Sequence, residues 1–233
     1  MKNEYIKCNS ANIYYEVHGK GEPILCLHGN GEDSSYFKPQ MKDFLKNYQV
    51  ILMDSRGHGK SSFGDEGLSL ELMAKDVLKV LKKLNIDKVH LLGFSDGGNV
   101  ALTIALKNPK CIKTLTLLGA NLKPNDMKFL DRIPIKVEYY FYKLLSIKKD
   151  KKEILGLMVK EPKNKAKELN RINLPTLVIA GEKDAIKESC TKLISKSIKN
   201  SKLEIIKGAD HFVSRKKPEV FNKIFLDFIR DHQ

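Results

Sequence analysis

The 233-residue chain has no apolar run approaching the roughly 20 residues a membrane-spanning helix needs. That excludes an integral helical membrane protein. Its first residues, MKNEYIKCNS, lack the apolar core of a secretory signal, so the expected location is cytoplasmic. Cysteine is sparse, and Cys8, Cys26, Cys111 and Cys190 include no CxxC pair and no His at metal-ligand spacing. They read as small buried thiols in a reducing compartment, with neither a disulfide framework nor a metal site expected. Repeats, low-complexity stretches and long Pro/Gly/Ser linkers are lacking too. The expectation is therefore one domain over residues 1–233.

Arginine is also scarce. Of 42 basic residues only five are Arg, in a chain of net charge +14. Specific base and phosphate recognition favours the planar Arg fork, and no nucleic-acid-binding module is recognisable. The lysines spread along the chain, with one dense cluster at Lys148 to Lys152. They predict a solvated surface with a mild bias towards anionic ligands. Neither a nucleic-acid nor a membrane partner is expected.

What is present is an alternation of short β-type runs and helical patterns, the signature of a mostly parallel sheet covered by helices. Strands are expected at Ile13 to Val17, Pro23 to Leu27, Gln49 to Met53, Val89 to Gly93, Ile112 to Leu118, Thr176 to Ala180 and Leu203 to Ile206. Helices are expected at Leu68 to Leu84, Asn99 to Leu106 and Pro218 to Ile229, where apolar residues recur at helical spacing. Between Asn121 and Arg171 the alternation stops. A helical, Lys-rich insert at about 122–171 carries Tyr139, Tyr140, Phe141 and Tyr142, at a place and of a size that suit a lid. Its aromatic run either packs the lid against the core or lines an acyl pocket.

The chemistry starts at Gly93-Phe94-Ser95-Asp96-Gly97-Gly98, a G-x-S-x-G pattern between a buried strand and a helix. So tight a turn leaves almost no room for side chains beside the serine, which accounts for Gly93 and Gly97. It lifts the Ser95 hydroxyl above the sheet and aims the next helix's N-terminus at the reacting centre. A serine hydroxyl needs a base. Of six histidines, only His211 sits in a polar loop after a late strand. The base needs a carboxylate to hold its tautomer. Asp184, in the acidic turn after the Thr176 strand, is the choice, with Glu182 of the same turn as the alternative. Asp210, adjacent to His211, suits shaping the loop better than reaching the ring. Donors for an oxyanion are expected from the backbone N–H groups of Asp96 and of Asn30, the latter in the glycine-rich turn His28-Gly29-Asn30-Gly31.

These pieces, together with Asp54-Ser55-Arg56-Gly57-His58-Gly59-Lys60-Ser61, resemble a serine α/β-hydrolase over almost the whole chain. Gly93 to Gly98, Gly119-Ala120-Asn121 and Leu174 to Val178 leading to Gly181-Glu182-Lys183-Asp184 resemble the valacyclovir hydrolase (biphenyl hydrolase-like) group. The resemblance implies an α/β-hydrolase fold with a short helical lid and Ser95-Asp184-His211 as the catalytic triad. It implies a small-molecule acyl substrate and no metal or organic cofactor. It also implies that the Asp96 carboxylate helps bind a substrate amino group; the competing reading gives Asp96 only its backbone N–H. The insert is shorter and richer in lysine than a full lid of that group. The expected activity is hydrolysis of a carboxylic ester. C–C bond hydrolysis, lactone opening and thioester cleavage by the same triad remain open, as does a binding protein that keeps the hydrolase shell. A serine at position 95 argues against dehalogenase or epoxide-hydrolase chemistry, which in this fold uses an aspartate there.

Overall fold

The computed structural model describes residues 2–232. Strands β1 (Lys2–Cys8), β2 (Ala11–His18), β3 (Glu22–Leu27) and β4 (Tyr48–Met53) precede β5 (Val89–Phe94), β6 (Ile112–Leu118), β7 (Thr176–Lys183) and β8 (Ser201–Asp210). They form one sheet in the order β1-β2-β4-β3-β5-β6-β7-β8. The β1-β2 and β2-β4 pairs are antiparallel and the remaining pairs parallel. The helices are α1 (Lys38–Phe44), α2 (Leu70–Lys83), α3 (Asp96–Lys107), α4 (Phe129–Leu145), α5 (Lys149–Lys160), α6 (Glu188–Ser197), α7 (Val213–Lys216) and α8 (Pro218–Arg230).

Successive strand residues point to opposite faces, so each central strand feeds two cores. Leu25, Leu27, Ile51, Met53, Leu91, Leu115 and Leu117 pack against Val77, Val80 and Leu81 of α2, Val100 and Ile104 of α3, and Ile194 of α6. Ile24, Cys26, Val50, Leu52, Leu92 and Phe94 pack on the other side against Phe44 of α1 and Phe221, Phe225 and Phe228 of α8. Apolar runs such as Pro23 to Leu27 follow from this double burial, since neither face meets water.

Every predicted strand and helix is present, with ends shifted by a few residues. The helix expected from Asn99 starts at Asp96, because Ser95 itself precedes the first turn. Ser69 caps α2, accepting a hydrogen bond from the Leu72 N–H at 3.1 Å. Strand β1 and helices α1 and α6 were not anticipated. The insert forms α4 and α5 and rejoins the sheet at β7. Its aromatic run splits: Tyr139 and Tyr142 pack inward with Leu155, while Tyr140 and Phe141 face out. No described helix is long and apolar enough to cross a membrane.

Candidate active site

Strands β5, β6, β7 and β8 run parallel, so their C-terminal ends gather at one edge of the sheet, where ligands bind in open α/β sheets. Ser95 follows β5 directly, with φ 52° and ψ −118°. A Cβ on Gly97 would lie 2.2 Å from the Leu27 carbonyl oxygen, so α3 can start this close to β3 only with glycine there. Asp184 follows β7 and is buried; its Oδ1 accepts the Ile186 N–H at 2.9 Å. His211 follows β8.

The three side chains meet although 116 residues separate Ser95 from His211. His211 Nε2 lies 3.0 Å from Ser95 Oγ, and its Nδ1 lies 2.7 Å from Asp184 Oδ1. Phe94 packs beside the His211 ring at 4.9 Å and stacks on Tyr36 at 4.3 Å. Glu182 is not brought to His211; its carboxylate is exposed and accepts the Gly208 N–H at 2.9 Å. Asp210 accepts the Phe212 N–H at 3.0 Å and pairs with Lys216, so it braces the loop.

Opposite Ser95, the turn after β3 is held by a buried histidine. His28 Nδ1 lies 2.8 Å from the Gly29 carbonyl oxygen, and its Nε2 accepts the Ser55 N–H at 2.9 Å. The ring is therefore neutral, with its proton on Nδ1. Burial, followed by the neighbouring His58, pushes its pKa down to about 4. The Gly29 carbonyl and the Asn30 N–H share one planar peptide, so pinning the carbonyl also orients that N–H. Asp96 opens α3, where a first-turn N–H has no intrahelical acceptor. Its carboxylate is buried and takes a hydrogen bond from Asn30 Nδ2 at 2.9 Å and another from Asn99 Nδ2 at 3.2 Å. Burial raises its pKa against the pull of Asn30. Asn99 continues the chain of amides to Asn121 at 2.8 Å, so the Gly119-Ala120-Asn121 turn braces the far side of Asp96.

A cleft of about 380 Å³ opens over Ser95 and His211. Phe94, Phe212, Met127, Ile135, Met158 and Ala185 supply its apolar wall, and Asn30, Glu32, Asp131, Lys183 and Asp210 its polar positions. The Asp96 carboxylate is not among the residues that line the cleft; it is buried and takes the Asn30 side-chain N–H. A larger hollow of about 590 Å³ between α1 and α8 contains no comparable group of side chains.

Glu32 was missed by motif reasoning. It lies two residues past Asn30, with one carboxylate oxygen 3.7 Å from Arg215 and the other buried without a partner. Burial outweighs Arg215 and raises its pKa to about 7. The nearby Arg56 was noted only as part of a motif. It is completely buried, donating to Asp76 through Nε at 2.8 Å and Nη2 at 2.9 Å. This forked pair fixes the loop after β4 to α2.

The chain is 29% identical to the serine hydrolase BPHL of Homo sapiens, over 97% of this chain and 85% of that protein. Its structure is similar to that of a bromoperoxidase from Bacillus anthracis, with a TM-score of 0.81 and 26% identity over 98% of this chain and all of the other. The enol-lactonase from Burkholderia xenovorans LB400 shares the fold, with a TM-score of 0.84 at 20% identity, over 97% of this chain and all of the other. Residues 22–147 match the family model for the alpha/beta hydrolase fold, and with a mostly parallel sheet, a tight strand-to-helix turn at Ser95 and a helical insert the chain belongs to the α/β-hydrolase family.

Proposed function

We propose that this protein is a serine hydrolase that cleaves a carboxylic ester of a small molecule through an acyl-enzyme. One observation carries the reading: the unbroken path from Ser95 Oγ through His211, at 3.0 and 2.7 Å, to buried Asp184. Ser95 Oγ attacks the ester carbonyl while His211 Nε2 takes its proton. Asp184 stabilises the imidazolium that forms. The negative charge on the carbonyl oxygen is met by the backbone N–H of Asp96, next to Ser95 in sequence, and by that of Asn30, in the turn where a Cβ on Gly29 would lie 3.2 Å from Ser95 Cβ. His211 then hands the proton to the leaving alcohol. Water, deprotonated by the same ring, hydrolyses the acyl-serine. No step calls for a metal or an organic cofactor.

In this reading the Asp96 carboxylate acts by positioning. Its bonds to Asn30 and Asn99 hold the Asn30 turn over Ser95. The amino-group role carried over from the valacyclovir hydrolase group is not favoured, because the carboxylate is buried, lies outside the cleft lining and already accepts from Asn30 and Asn99.

The test is a fluorophosphonate probe followed by a panel of p-nitrophenyl acyl esters, aminoacyl esters, lactones and thioesters. Labelling should vanish in folded Ser95→Ala, and kcat on the best ester should fall by about 10⁴ or more. Asp96→Ala should lower kcat/KM equally on aminoacyl and plain esters. A selective loss on aminoacyl esters would restore the amino-group role, and Ser95-independent labelling would overturn the mechanism.

A further inference from the structure

Helix α4 covers the cleft with one face and leaves an apolar stripe on the other. Asp131 and Ile135 line the cleft, and Tyr139 and Tyr142 pack inward. On the outer side Leu130, Ile133, Val137, Tyr140, Phe141 and Leu144 recur every three or four residues, the spacing of a single helical face. They are strongly exposed: Leu130 by 80%, Val137 by 64% and Leu144 by 83%. Surface helices of globular proteins usually turn polar residues outward, and contiguous apolar patches of this kind mark interaction sites. The segment around the stripe is basic. Residues 128–152 hold eight Lys or Arg against three Asp or Glu. Lys143, Lys148, Lys149 and Lys151 are exposed at the C-terminal end of α4 and the start of α5. Lys148 and Lys151 cover the inward-packed Tyr142 ring, each 5.5 Å from its centre, and Lys151 also pairs with Glu138.

We propose that the outer face of α4 docks on the surface of an anionic lipid bilayer, lying in the plane of the interface. A 17-residue helix is about 25 Å long, and its stripe is continuous and unbroken by charge, the pattern of an interfacial helix. The exposed lysines of the same segment give it a basic character that fits an anionic headgroup layer. They disfavour a second copy of this chain, because a dimer through α4 would bring two basic segments together. The net charge of +14 adds long-range attraction in the same direction. This departs from the expectation of no membrane partner, which rested on the lack of a run long enough to span. The contact lies on one surface, it does not rest on the proposed ester hydrolysis, and the helix that makes it is also a wall of the cleft.

The protein should sediment with vesicles of phosphatidylglycerol and phosphatidylcholine, and not with phosphatidylcholine alone. The double variant Leu130→Glu/Leu144→Glu should lower partitioning about tenfold or more. Both positions are exposed, so its thermal unfolding should match the parent. The chain contains no tryptophan, so Val137→Trp places a single reporter on the stripe. Its emission should shift to shorter wavelength on anionic vesicles and be quenched by brominated acyl chains. Three results would overturn the proposal. One is failure to sediment. Another is sedimentation that leaves the Trp emission unchanged, which means adsorption by charge alone. The third is a stable dimer or a protein complex that Leu144→Glu dissolves.

Discussion

Glu32 illustrates how much a single side chain's surroundings matter. A glutamate after a glycine-rich turn carries no pattern; its character comes from the cleft around it and from Arg215, which arrives on α7 much later in the chain. Free glutamate ionises near 4.5, whereas here burial delays ionisation to about 7. Between those values the folded protein holds a proton that the unfolded chain has lost. Stability from this group is thus complete below about 4.5 and is lost as pH rises through 7. The buried histidines act in the opposite sense. His28 titrates near 4 when folded, so its contribution is complete above about 6.5 and is lost as pH falls. Comparing Glu32→Gln with the parent cancels the histidines. The variant should match the parent at pH 5 and exceed it at pH 8, by up to about 3 kcal/mol for a shift of this size. Thermal melts across that range decide it; an equal difference at both pH values would mean that Glu32 does not titrate there. The settings of Ser95 and His211, in contrast, were legible, a strand-to-helix turn for one and a polar loop after a late strand for the other, while their meeting with Asp184 is seen only in the structure. Asp184 was preferred to Glu182 of the same turn, and the geometry brings Asp184, not Glu182, to His211.

At the level of elements, the alternating face rule made the central strands readable, while the missed segments share a weak apolar signal. Strand β1 sits at the sheet edge with Asn3, Lys7 and other polar residues facing water, as edge strands commonly do. Helix α1 has seven residues, too few to display a helical period. Helix α6 buries Cys190, Thr191 and Ser195 beside Ile194, so its inner face is small and partly polar. The end of β6 shows how one element can set another's side chain. Gly119 has φ +62°, and a Cβ there would lie 2.8 Å from His211 Cε1 and 3.0 Å from Nδ1. Gly119→Ala should therefore push the ring away from Ser95 and Asp184 while leaving the sheet intact. We expect kcat to fall about 10²-fold, the scale of a roughly 1 Å misplacement, with little change in far-ultraviolet circular dichroism. Unchanged turnover would show that the ring has slack.

For the molecule as a whole, fold class followed from the order of strands and helices, because a parallel sheet must be covered on both faces. The lid resisted the same reasoning. Both sides of α4 are apolar at helical spacing, and periodicity cannot tell the side that packs on Tyr142 and Leu155 from the side that meets solvent. Most ion pairs are exposed and contribute little; the Arg56–Asp76 pair is buried on both sides. Against this background, the turn at Ser95 carries strain. Its backbone, at φ 52° and ψ −118°, is one that residues with a side chain rarely occupy, at a cost of about 1–3 kcal/mol. Glycine tolerates it readily. Ser95→Gly should then melt at least about 2–4 °C above Ser95→Ala, the equivalent of about 1 kcal/mol in a chain of this size once glycine's extra backbone entropy is offset. If it does, the backbone at position 95 is held in a conformation that any side chain strains, and the residue there is the one the proposed mechanism uses as its nucleophile.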